Sequence, residues 1–446
     1  MTVLITGGTG FIGSHVARHF LQANQSVRLL VRDIEKAKAV FSRVDLSFDS
    51  QQCELVLGDV TDTESIHSAM QNVQAVIHAA AVTPIAAPSA QVLEQINIVG
   101  TRNVLDAALA VNVSRFIYVS SATAVFNTNA SLIDLAKPLT MPSMPYGRSK
   151  AEAENLVRDR QQQGAPISII YPSGVIGPQD PGFSDAFKAL YHRFNHGFRL
   201  FDEGGIQQVD VRDVAALMFS IIVNGESDQA LARHLIVGHY LSWVEQADLI
   251  DRVSGYSLQR LPMAGWKMRL LGRLFDFVRL IKKVDSPVSA EMMRYATQWP
   301  KMKNSPALAD HGIELHSPEK TMTDSLKALL NQFAQYELCF GNRFNINPAG
   351  YNIKSTGFTI EGFTDTAYIT DVPNKNISGN LDGSNMGTLS VVSKNEKNEQ
   401  RVIVKDAGVV DYKKGEVILN TVNTVSYTHL RAHETVLDLV CRLLLE

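Results

Sequence analysis

Cysteine is scarce. There are three in 446 residues, Cys53, Cys339 and Cys441, odd in number and far apart. That spacing excludes a disulfide framework and a thiolate metal cluster, and it favours a reducing compartment. An excess of one charge sign is also missing: the net charge is -3 with 20% charged residues, so nothing biases the chain toward nucleic acid or another polyanion. No uncharged apolar run reaches membrane-spanning length, and the strand-like "TVLIT" stands where a basic and then apolar secretion leader would be. The expectation is a cytoplasmic globular chain, and at this length two or three folding units rather than one.

Up to about residue 336 the chain alternates short β-branched runs ("TVLIT", "QAVIHAA", "RFIYVSS", "ISIIYP") with longer helical patterns, the rhythm of βαβ units around a parallel sheet. The helix "SPEKTMTDSLKALLNQFAQYE" closes this part, with Ser317 as its cap. From Phe340 to Thr424 the composition shifts to 12 asparagines in 85 residues, with alternating runs "TLSVVS", "QRVIVKD" and "GEVILNTV" split by the turn signals "KN" and "KKGE". This stretch reads as a β-rich fragment.

Chemistry concentrates in the α/β part. "LITGGTGFIGSH" sets Gly7, Gly10 and Gly13 between a strand and a helix, where glycine permits a tight turn and lets backbone amides approach a phosphate. "SVRLLVRD" ends a buried strand in Arg32, whose planar cation suits a phosphate; the competing reading is that Arg32 and Asp33 merely begin the solvated helix "DIEKAKAV". "YGRSK" places Tyr146 and Lys150 at i, i+4 on one helix face, where an adjacent ammonium would draw the phenol down toward a working pKa. "FIYVSSATAVF" ends a strand at a polar tip, where Ser121 can hydrogen-bond a substrate oxygen and Ser120 is the rival register. His78 reads as a core histidine, Asp59 as an ambiguous strand end or helix cap, and no metal ligands are expected.

Together with "LGDVTD", "IHAAAV" and "INIVGTRNVLDAA", these stretches resemble the extended short-chain dehydrogenase/reductases of the NAD-dependent epimerase/dehydratase superfamily over roughly the first 335 residues. The resemblance implies an α/β Rossmann-type fold, a doubly wound parallel sheet over residues 1–180 with a smaller substrate lobe at 181–336, of which 205–225 returns to the sheet. By the same resemblance Ser121, Tyr146 and Lys150 are catalytic. Gly7, Thr9, Gly10, Phe11, Ile12, Gly13, Asp59, Val60, Ala79, Ala80, Ala81, Pro172, Tyr146 and Lys150 would line the cofactor, and Asn97 would sit on a helix behind it. NAD-binding relatives end the second strand in an acid that bonds the ribose hydroxyls; here Val31 holds that position and Arg32 follows, so NADP is expected ahead of NAD.

"YPSGVIGPQD" carries no arginine or asparagine of the kind that grips a sugar nucleotide, and it is similar in form to dihydroflavonol reductases. The expected reaction is reduction of a ketone or aldehyde on a hydrophobic small molecule, with a nucleotide-sugar epimerase or dehydratase second and a non-catalytic NADP-sensing regulator third. The helix "WKMRLLGRLFDFVRLIKK", with Trp266, Phe275 and Phe277, reads first as the wall of an apolar pocket and second as a membrane-surface helix. A homodimer is compatible with all of this.

The remaining stretches read as foreign. "QRVIVKDAGVVDYKKGEVIL" is similar to parts of tailed-phage baseplate proteins, and residues 425–446, "VSYTHLRAHETVLDLVCRLLLE", resemble a translated sequencing-library adaptor. Zinc binding by His429 and His433 is the weaker explanation of that tail, and a chimeric join near 337 follows from the stronger one.

Overall fold

A computed structural model describes residues 1–43, 52–83, 89–126, 133, 135, 141–142, 145–182, 184–226, 232–281, 289–300, 302–333, 337–339, 367–373, 386–394, 400–411 and 416–419. The chain divides into two compact units, Met1–Ser325 and Leu326–Glu446.

The first unit is built on strands β1 (Val3–Thr6), β2 (Val27–Val31), β3 (Cys53–Leu57), β4 (Ala75–His78), β5 (Arg115–Val119) and β6 (Ile167–Pro172), then β7 (Gly174–Ile176), β8 (Phe198–Phe201), β9 (Gly205–Asp210), β10 (Arg233–Ile236), β11 (His239–Ser242) and β12 (Arg260–Met263). Seven of these form one sheet in the order β10-β6-β5-β4-β1-β2-β3, every pairing parallel. The strands are apolar at consecutive positions because both faces are covered. Val3, Ile5, Leu29, Ile77, Ile117 and Ile170 pack with Val16 and Phe20 of the helix Phe11–Gln22 and with Leu217 and Ile221 of the helix Val211–Asn224. The alternate residues Leu4, Leu30, Val76, Phe116 and Ile169 pack on the opposite side with Ile66, Val104 and Val157. One strand thus feeds two cores, which is the doubly wound arrangement expected.

Chain order reverses between β1 and β4, opening the crevice where such sheets bind ligands at their carboxyl ends. Beyond β6, the small sheet β11-β9-β7 and the pair β12-β8 make up the C-terminal lobe. The return to the main sheet is made by β10 at Arg233–Ile236. Within 205–225, β9 pairs instead in the small sheet, because its neighbours there are β7 and β11, and the helix Val211–Asn224 covers one face of the large one. Ser317 caps the helix Pro318–Phe333 through the amide of Lys320, as read from the sequence.

The second unit holds β13 (Glu337–Cys339), β14 (Ala367–Pro373), β15 (Met386–Lys394), β16 (Gln400–Asp411) and β17 (Glu416–Leu419), all antiparallel in the order β13-β17-β16-β15-β14. The strand-like runs at its end thus fall on β15, β16 and β17. The turn signals between them, and residues 425–446 with His429 and His433, lie outside the described residues.

Candidate active site

The glycine-rich turn leaves β1 and enters the helix Phe11–Gln22. Gly7 adopts φ +72°, and a Cβ there would lie 2.6 Å from the amide nitrogen of Ala80; one on Gly13 would lie 2.2 Å from the Gly7 carbonyl oxygen. The turn is therefore closed to side chains. Its N-cap, Gly10, has no side chain to satisfy the first-turn amides of Phe11, Ile12 and Gly13, so these are available to an anion. Thr9 is half-buried, and the Phe11 ring packs edge-on against Phe187 with centroids 6.1 Å apart. The cradle fits the pyrophosphate of a dinucleotide.

Arg32 follows the buried Val31 at the end of β2, is exposed, and has no hydrogen-bond or ion-pair partner among the described residues. Asp33 is occupied differently, its carboxylate accepting the amide of Lys36 at 2.9 Å and so capping the next helix. Beyond the end of β3, Asp59 accepts the amide and the hydroxyl of Thr61 at 2.9 and 2.8 Å. It forms a local turn, and the helix cap is Asp62, which accepts the amide of Glu64. Val60 is buried against Gly100, where a Cβ would come within 2.7 Å of its Cγ2. Ala79, Ala80 and Ala81 leave β4 beside Gly7, Ala79 donating its amide to the Thr6 carbonyl.

The register at the tip of β5 is decided by a buried carboxylate. Ser120 donates to Glu154 Oε2 at 2.7 Å, and Glu154, fully buried, also receives Arg158 and the Tyr171 hydroxyl at 2.8 and 2.7 Å. Ser120 is thereby held in the interior, and Ser121 reaches the site, where it lies within hydrogen-bonding reach of the Tyr146 phenol. Ser121 also caps the short helix Ala122–Val125 and receives the Thr123 hydroxyl at 2.8 Å. Tyr171, the first residue of "YPSGVIGPQD", belongs to the Glu154 cluster, and Pro172 beside it is buried at the end of β6.

Tyr146 and Lys150 share one face of the helix Pro145–Gln162 as their spacing requires. Their electrostatics differ from the sequence expectation. Burial pushes the Tyr146 phenol up, and the hydrogen bond from Ser121 opposes this. Burial lowers Lys150 to about 7, against the pull of Glu154. Its ammonium donates to the Val119 carbonyl at 2.8 Å and sits 4.6 Å from the centroid of the Tyr118 ring, so in the protein alone it is spent on the β5 tip rather than on lowering the phenol.

Behind the pair runs a polar chain that sequence reading did not assemble. Thr6 bonds His78 Nδ1 at 2.7 Å, and His78 Nε2 meets the Thr101 hydroxyl at 3.0 Å. Thr101 donates to the Asn97 carbonyl, the Asn97 side chain donates to Ser149, and Ser149 donates to the Tyr146 carbonyl. Asn97 lies on a π-helical turn, Glu94–Val99, a type of irregularity found often at functional sites. Through Ser149 its side chain is tied to the helix Pro145–Gln162 that carries Tyr146 and Lys150. His78 is the satisfied core histidine that its buried strand suggested, lowered by burial to about 3. Only tertiary contacts reveal Thr6, Thr101, Ser149 and Glu154; each is a common residue type on an ordinary helix or strand, with no motif of its own.

The apolar wall is misplaced by the sequence reading. On the helix Gly265–Ile281, Trp266 and Phe277 are exposed and only Phe275 is half-buried. Aromatic packing beside the Ser121 helix comes instead from Phe126, whose ring lies 4.1 Å from Tyr295 and 5.1 Å from Trp299, centroid to centroid.

With Gly7 to Gly13, Ser121, Tyr146 and Lys150 at the carboxyl edge of a seven-stranded parallel sheet, similarity to known proteins follows the same lines. The chain is 29% identical over 282 residues to sterol demethylase protein B of Methylococcus capsulatus, covering 62% of this chain and 81% of that one. It is 30% identical over 238 residues to a Synechocystis protein designated dihydroflavonol 4-reductase, covering 53% and 67%. The crystal structure of gox2253 shares the fold at a TM-score of 0.62 and 22% identity, over 73% of this chain and 97% of that one. The sequence profile of the NAD dependent epimerase/dehydratase family matches residues 3–238, and the chain belongs to that family, an extended short-chain dehydrogenase/reductase with a nicotinamide-cofactor fold.

Proposed function

We propose that the chain is an NADP(H)-dependent oxidoreductase that reduces a ketone or aldehyde on a hydrophobic small molecule. The observation that carries this reading is the half-buried Tyr146, its phenol paired with Ser121 and one helical turn from Lys150. When bound, the nicotinamide supplies hydride to the carbonyl carbon. Ser121 then hydrogen-bonds the carbonyl oxygen, and the Tyr146 phenol delivers the proton that converts the forming alkoxide to an alcohol. A phenol whose pKa is raised stays protonated at neutral pH, which suits a proton donor and therefore the reductive direction. Lys150, lowered to about 7 and so more acidic than the raised Tyr146 phenol, can return a proton to a Tyr146 phenolate downhill.

NADP is favoured by Arg32, a free guanidinium where a 2′-phosphate would lie, and by Asp33 being committed to its helix. A hydrophobic substrate is favoured by the aromatic packing of Phe126, Tyr295 and Trp299 beside Ser121 and by relatives named for sterol and flavonoid chemistry. The test is a panel of alicyclic and aromatic ketones and aldehydes run beside UDP- and dTDP-sugars, followed at the NADPH absorbance band with product analysis. Stoichiometric NADPH loss on a carbonyl is the expected result. Conversion of a sugar nucleotide without net NADPH loss would replace this reading with an epimerase.

A further inference from the structure

The helix Gly265–Ile281 carries four exposed large apolar side chains, Trp266, Leu270, Leu274 and Phe277, at 56, 59, 55 and 60% exposure. At roughly 100° per residue they fall within about 80° of arc, a single stripe along the helix. Every other element among the described residues exposes at most one such side chain. The opposite face is anchored. Met268 and Gly272 are buried, and a Cβ on Gly272 would lie 2.6 Å from the Ser289 carbonyl oxygen. Arg269 bonds Glu203 and Thr297 at 3.0 Å, and Asp276 accepts the Ala290 amide at 2.9 Å. The stripe therefore belongs to a helix fixed to the protein body, and it is held outward.

Its borders are cationic. Lys267 and Arg273 flank the stripe on either side, both exposed and with no acidic partner among the described residues. The acids nearby are already engaged, Asp276 with Arg279 and the Ala290 amide, and Glu203 with Arg269. An apolar stripe bearing a tryptophan and bordered by cations that no acid neutralises among the described residues complements a surface that is apolar beneath and anionic above.

We infer that this helix docks the protein on the surface of an anionic lipid bilayer, Trp266, Leu270, Leu274 and Phe277 entering the headgroup boundary while Lys267 and Arg273 meet lipid phosphates. The inference stands on the helix alone and holds whichever substrate the active site takes.

The test is co-sedimentation of the purified full chain with vesicles of phosphatidylcholine, and of phosphatidylcholine mixed with phosphatidylglycerol. Binding should be roughly tenfold or more stronger on the anionic vesicles and should weaken in about 0.5 M salt. The double variant Leu270→Glu with Phe277→Glu should abolish it, with unchanged NADPH affinity and melting temperature showing that the fold is intact. The double variant Lys267→Gln with Arg273→Gln should remove the preference for anionic vesicles while leaving weak binding to neutral ones. No binding to either vesicle by the parent protein overturns the inference. So does a dimer in sedimentation equilibrium that the Leu270→Glu, Phe277→Glu variant dissociates, because the stripe would then cover a second copy of the chain.

Discussion

The placement of Tyr146 and Lys150 on one helix face, and of Ser121 at a polar strand tip, was legible in the sequence because it depends on spacing: i, i+4 on a helix, and a strand ending in polar residues. What spacing could not convey is where a charge is spent. Glu154 decides which of two adjacent serines faces the site, and burial rather than the neighbouring ammonium sets the Tyr146 phenol. Tyr146→Phe should lower turnover on a carbonyl substrate by roughly 100-fold or more, with NADPH affinity retained, since only proton delivery is removed. Arg32→Ala should cost roughly tenfold or more in NADPH affinity and leave NADH affinity unchanged, measured by titration of protein fluorescence. Equal affinities for the two cofactors in the parent would contradict the assignment of Arg32. Two buried histidines set an acid limit on stability. His78 and His15 are lowered by burial to about 3 and about 4, so between those values and about 6.5 the unfolded chain binds protons that the folded one does not. Their contribution is fully present above about pH 6.5 and is lost as pH falls. At pH 5 the loss is about 2 kcal/mol apiece, and thermal unfolding at pH 7 and pH 5 should show a clear drop in melting temperature.

Among the elements, the glycine turn and the parallel strands follow from local rules, and the sequence expectation matches the structure there. Gly7 needs a left-handed backbone angle and a close approach to Ala80 at once. Gly7→Ala should therefore weaken cofactor binding at least roughly tenfold and destabilise the protein by about 1–3 kcal/mol, read by titration and chemical denaturation. The π-helical turn at Asn97 was not legible, because one extra residue in a helical turn leaves no mark on hydrophobic periodicity. The helix Gly265–Ile281 shows the opposite limit. Its amphipathic pattern was clear, but a pattern of period 3.6 says that one face is apolar without saying what covers it, and Trp266 and Phe277 turn to solvent rather than to a pocket. The strand that rejoins the main sheet, β10, was missed for a related reason. Alternation identifies strands but not the sheet each one joins, and β9 and β10 are both short and mix apolar with polar residues.

For the whole molecule, the family match ends at residue 238 and the doubly wound unit at Ser325, while the β-rich unit beyond shares neither its composition nor its topology. We expect removal of residues 337–446 to leave NADPH affinity and the melting temperature of the catalytic unit unchanged; a large fall in melting temperature would show that the two parts belong together. In the proposed reaction Tyr146 protonates a carbonyl oxygen while hydride passes, net, from NADPH to substrate carbon. The most direct test follows deuterium from NADPH labelled at the transferring C4 position, with a hydrophobic ketone as acceptor and product examined by mass spectrometry. One deuterium on the carbinol carbon per NADPH consumed, lost together with turnover in Tyr146→Phe, is the predicted result. Unlabelled product from a sugar nucleotide, with the NADPH label intact and no ketone reduced, would contradict it.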